Sequence, residues 1–109
     1  MAAITVPLTV TPEAAARVAE LGRQREFEQM LEHARQTIPN LRSLRVTLEP
    51  QYDTGEEDRV VIWATIPDPG GVYDPTEAQY GRWFVTTFPP EVCQHFVLLT
   101  PFELEEHGR

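Results

Sequence analysis

The chain contains no lysine; all nine of its basic residues are arginine. Without a lysine amine there is no Schiff-base chemistry, no lysine general base and no lysine to complete a P-loop. Cys93 is the only cysteine. That excludes an intramolecular disulfide framework and a cysteine-based zinc site. No apolar run approaches the ~20 residues that span a bilayer. No basic region precedes the apolar residues near the N-terminus, so no signal peptide is expected. Positive charge is scarce as well: nine basic against 17 acidic residues leave a net charge of −8. Such an excess repels nucleic acid and anionic lipid at long range. These absences together predict a cytoplasmic protein with no cofactor, no metal, no nucleic-acid partner and no membrane partner. Its partner would be another protein or a second copy of itself.

What is present points to one folded domain over 1–109, with a short frayed tail from about 105. A length of 109 residues and 41% hydrophobic content suffice for a core without staples. The ten prolines sit mostly at element ends, as punctuation. Two stretches open like helices: Thr11-Pro12-Glu13-Ala14 and Asp74-Pro75-Thr76-Glu77. Each offers a capping oxygen, a proline that needs no hydrogen bond, and an acid at the positive end of the helix dipole. After the first start, Ala14, Val18 and Leu21 form one stripe, and Phe27, Met30, Leu31, Ala34 and Ile38 form another out of phase with it. Gly22 falls at the break and predicts a helix end there, with a second helix stopped by Pro39-Asn40. After the second start, a helix puts Ala78, Gly81, Val85 and Phe88 on one side, with Tyr80, Trp83 and Phe84 beside them. The β-branched run within 81–88 leaves a strand as the rival reading. Pro90 opens a single further turn through His95.

Alternation marks the strands. Ile4 to Val10 is the first, with Pro7 suggesting an edge or a bulge. Leu44, Val46 and Leu48 give the second a single buried face. Arg59 to Ile66 is apolar on both faces, with Val61 and Trp63 opposite Val60 and Ile62, so it is central or meets a partner. Phe96 to Leu104 is the last, marked as an edge by Pro101. Between the second and third strands, Pro50 to Asp58 reads as a long hairpin loop. The expected fold is α+β, a two-layer domain with an antiparallel sheet of about four strands and helices on one face. Its βαββαβ order makes a ferredoxin-like topology the leading guess, against which Pro7 in a central first strand stands as an objection.

Several motifs invite chemistry and are outweighed. Asp53-Thr54-Gly55 resembles the aspartic-protease triplet, in which two aspartates share a proton. The apolar strand that precedes the triplet in that family is replaced here by Glu49-Pro50-Gln51-Tyr52, and an Asx-type turn explains the three residues. The acidic loop residues Asp53, Glu56, Glu57 and Asp58 are oxygen ligands of the kind calcium takes, but without EF-hand spacing; a solvated loop is the expectation. Cys93 and His95 lie two apart, a separation that points side chains to different sides of a helical turn, so Cys93 is read as a small buried hydrophobe. His33, His95 and His107 lack metal-ligand spacing. The helix, Gly22 turn and second helix resemble a helix-turn-helix, but the second helix carries Glu26, Glu28 and Glu32 where DNA contact needs basic and amide groups. Ile4 to Leu21 also resembles the start of A-type iron–sulfur carrier proteins. That family needs three cysteines, and no function is carried over.

The remaining signal is an interaction surface. Val61, Trp63, Tyr80, Trp83 and Phe84, with Arg59 and Arg82 at the rim, contain the residue types enriched at binding hot spots. The leading expectation is therefore a non-enzymatic protein-binding or regulatory protein, either an antitoxin-like or immunity-like inhibitor or a homodimeric interaction module. The alternative is a small-molecule-binding or hydrolytic α+β domain using Asp53, Glu57, His95 and Arg82.

Overall fold

The computed structural model describes residues 6–51, 56–68, 70–71 and 74–103, with the backbone alone at 51, 56, 57 and 103. The start of the first predicted strand at Ile4, the triplet Asp53-Thr54-Gly55 and the tail from about 105 lie outside the described residues. The elements are β1 (Leu8–Val10), α1 (Pro12–Leu21), α2 (Gln24–Thr37), β2 (Ser43–Gln51), β3 (Glu56–Pro67), α3 (Thr76–Thr87), α4 (Pro90–Cys93), β4 (Phe96–Leu99) and β5 (Phe102–Glu103).

Local chemistry sets the helix ends. Thr11 is extended, and its Oγ1 accepts a hydrogen bond from the Ala14 N–H at 3.2 Å. Gly22 closes α1 at φ 70°, a conformation that strains any residue with a Cβ. The chain therefore turns, and α2 starts afresh with its own buried stripe of Phe27, Met30, Leu31 and Ala34. At α3 the Asp74 carboxylate accepts from the Thr76 N–H at 2.8 Å, and the Thr76 hydroxyl together with that N–H holds the acid below its ordinary range. The helix begins one residue later than the motif predicts, with Pro75 in the cap position.

Residues 76–87 are helical, which settles the choice between helix and strand. The inward stripe is Thr76, Tyr80, the half-buried Phe84 and Phe88, spaced by four. Ala78 and Val85 face outward, Val85 being 63% exposed. The Ala78–Gly81–Val85 side is not the inward one, because the helix rotates to turn inward Tyr80 and Phe84, whose apolar area is far larger.

β1 pairs parallel with β2, β2 antiparallel with β3, and β3 parallel with β4, in the order β1-β2-β3-β4. β5 pairs with β3 beyond β4, after the interruption at Thr100-Pro101. The sheet is mixed, so the antiparallel, ferredoxin-like expectation is corrected. Each helical pair returns the chain beside the strand it left, giving two parallel β-helix-β units joined by the β2–β3 hairpin. β1 lies at an edge, where Pro7 lacks no ladder bond it needs; its carbonyl accepts from the Leu44 N–H at 2.8 Å. The long strands β2 and β3 take the centre instead. β2 runs through Pro50, and the register shifts between Glu49 and Gln51, so the proline sits at a bulge. Glu56 to Asp58 belong to β3 and not to the predicted loop.

All four helices pack on one face of the sheet. Ala14, Val18, Met30, Tyr80 and Val92 join Leu44, Val46, Val60, Ile62, Phe96 and Leu98 in one core. Among the described residues no helix is long and apolar enough to cross a membrane.

Candidate functional site

Strand alternation sends every second residue of β2, β3 and β4 to the face without helices. The register there aligns Arg45 with Trp63 and Leu99, Thr47 with Val61 and Val97, and Glu49 with Arg59. The result is an apolar band of Val61, Trp63, Val97 and Leu99, with charge at both ends. Trp63 is half-buried, and its indole N–H donates to Thr47 Oγ1 at 2.8 Å. The Thr47 hydroxyl donates in turn to Glu49 Oε2 at 2.7 Å. The indole therefore leans along the strands toward the Thr47–Val61 pair, which are 8% and 5% exposed. The Arg45 guanidinium lies over the indole, 5.6 Å from its centroid, a cation–π contact that holds both groups in place. Arg59 Nε is buried and has no hydrogen-bond partner among the described residues.

The structure splits the predicted patch. Val61 and Trp63 are on this open face, while Tyr80, Trp83 and Phe84 are on α3 and turn toward the opposite, helix-covered face. Tyr80 is 5% exposed, and its hydroxyl donates to the Met30 carbonyl at 2.8 Å. Trp83 and Phe84 pack against the core. Arg82 is exposed on α3 and shares no surface with Arg59. These aromatics join α3 to α2 and are unavailable as one surface with Trp63. Val97 and Leu99, which complete the open face, were missed. Their strand was legible, but nothing local told which of its two faces would stay bare.

Among the described residues the other candidates do not converge. Asp53 lies outside the described residues, and of Glu56 and Glu57 only the strand backbone is described; Asp58 is exposed in β3. Neither His95 nor Arg82 lines the cavities found beside α1 or α2. Cys93 Sγ contacts the Phe88 carbonyl at 3.5 Å, and burial pushes its thiol up, away from the reactive thiolate. Among the described residues no three His, Cys, Asp or Glu side chains gather as a metal site.

His33 meets Trp83 across the α2–α3 seam, rings parallel and 3.7 Å apart. Desolvation lowers its pKa from the ordinary 6.5. The unfolded chain then binds the proton more readily, so this histidine favours folding above pH 6.5 and ceases to do so as pH falls through its folded value. In an NMR titration His33 is expected to titrate below 6.5, with the Trp83 indole resonances following the same curve. A value at or above 6.5 would contradict the stacked geometry.

No protein-family model, no curated protein and no solved structure matches the chain.

Proposed function

We propose that the chain is a protein-interaction module whose open sheet face binds a second copy of itself. The observation that supports this reading is the Val61–Trp63–Val97–Leu99 band, which no described helix covers and which charged groups flank. The described charged side chains of the face are Arg45 and Arg59 with Glu49, in a chain of net charge −8. The acids Glu13, Glu20, Glu26, Glu28 and Glu32 lie on α1 and α2, in the layer behind the sheet. Two such faces can approach without bringing those carboxylates together.

The face is also self-complementary. Arg45 and Glu49 stand on one side of β2, about 13 Å apart at strand rise, with Thr47 midway. A two-fold axis in the plane of the interface, across the strands at Thr47, sets Arg45 against Glu49 of the second copy. It also stacks the Val61–Val97 rows of the two copies as in a β-sandwich and sets Trp63 against Arg59 of the second copy.

The test is sedimentation equilibrium with a charge-swap cycle. The unmodified chain is expected to dimerise. Arg45→Glu and Glu49→Arg should each weaken the dimer about tenfold or more, because each places like charges together. The double exchange should restore most of the loss. A chain that stays monomeric, or a cycle in which the double variant is no better than the singles, would sink the proposal. A merely structural role for either residue predicts additive losses instead of rescue.

A further inference from the structure

A second surface has different chemistry. β1 is an edge strand of three residues, paired on one side only among the described residues. Its bonds to β2 come from alternate residues: the Pro7 carbonyl accepts from Leu44, and the Thr11 N–H donates to the Val46 carbonyl at 3.0 Å. The register Thr9↔Arg45 places Thr9 on the same inward side. In a parallel ladder that phase turns the N–H and C=O groups of Leu8 and Val10 outward. Beside this edge lies a groove of about 490 Å³ between β1 and α2, lined by Leu8, Val10, Phe27 and Leu31 with Glu28 and Glu32 among its polar wall. Leu8 is 39% exposed there. α2 thus overhangs the sheet where one more strand would fit.

The charges choose the occupant. Among the described residues, Glu28 is bonded by the neutral Gln24 amide at 3.2 Å and pairs with no basic side chain. Arg35, the one basic group of the wall, lies 3.5 Å from Glu32. A symmetric second copy would bring the same glutamates to the seam from both sides. We infer that this groove receives an extended, basic segment of another protein, added to β1 as a further strand. Alternate apolar side chains of that segment fill the space under Phe27 and Leu31, and its Lys or Arg residues meet Glu28. The outward groups of Leu8 and Val10 supply the main-chain bonds. This rests on the reading of the chain as an interaction module but uses a surface apart from Arg45, Glu49 and Trp63. Either idea can therefore fail alone.

The probe is a nonapeptide of alternating lysine and valine with blocked ends, titrated into the isotope-labelled full chain and followed by NMR. Its counterpart has glutamate for lysine. The lysine peptide is expected to saturate with a Kd below about 1 mM, shifting the amides of Leu8 and Val10 and of the α2 residues along the groove; the glutamate peptide should not saturate. Leu8→Pro removes an outward N–H while leaving the β2 ladder intact, and should weaken binding about tenfold or more. Glu28→Arg, on an exposed helix position that folding tolerates, should weaken it by a similar factor and remove part of the salt dependence. The inference is overturned if neither peptide saturates, if both bind alike, or if the shifts map elsewhere and survive both substitutions.

Discussion

Replacing Phe96 by alanine is expected to cost about 3–5 kcal/mol of folding stability. Phe96 is 2% exposed and stacks on Phe27, ring centroids 6.1 Å apart. It is the residue through which β4 packs under α2, and it pairs in register with Val60 of β3. Truncation removes the ring's transfer energy and leaves a cavity that strands on one side and a helix on the other cannot both close. A domain of this kind has about 5–15 kcal/mol in all, so the variant should be near or beyond the margin at room temperature. Urea denaturation provides the measurement: the midpoint should fall steeply with an unchanged slope. A loss below about 1 kcal/mol, the range of surface substitutions, would mean that β4 does not pack as described.

The second large effect is at Tyr80. Tyr80→Ala should cost about 3–5 kcal/mol, the range for a buried aromatic, because it empties the seam between α2 and α3 and orphans the packing of His33, Trp83 and Phe84. Tyr80→Phe keeps the ring and loses the bond to the Met30 carbonyl, a change of about 1 kcal/mol. The pair separates packing from hydrogen bonding. Burial drives the Tyr80 pKa well above its ordinary 10, and the sign of the pH effect follows. Above pH 10 the unfolded chain releases the phenolic proton while the folded chain retains it, so stability falls as pH rises. The advantage of the unmodified chain over Tyr80→Phe should therefore hold at pH 8 and shrink by about 1.4 kcal/mol per unit beyond 10. An advantage that stays constant to pH 11 would show that Tyr80 is not buried.

Both predictions concern residues that local sequence marks as apolar and helical or strand-like. Their partners are another matter. Phe27 and Phe96 are far apart in sequence, and no periodicity relates them. Trp63 and Trp83 look alike as surface candidates, yet one lies on the bare sheet face and the other against His33. The expected patch failed because it assumed that aromatic residues outside their own stripes share a surface. The groove beside β1 was not anticipated at all, since an edge strand and the helix above it acquire a shared surface only when the sheet order is known.

Residues within one turn of each other set the helix ends, to within a residue at α3. Thr11 and Asp74 accept the first free amides, Gly22 takes the left-handed conformation, and the two out-of-phase stripes separate α1 from α2. Alternation likewise settled that β2 has one buried side and β3 two apolar ones. Strand order, strand direction and the choice of bare face came only with tertiary structure. Side-chain alternation is the same in parallel and antiparallel ladders, so it carries no record of the partner. The place of β1 at the edge reflects a competition decided over the whole chain: β2 and β3 offer long ladders to bury, and the short strand after Pro7 offers little.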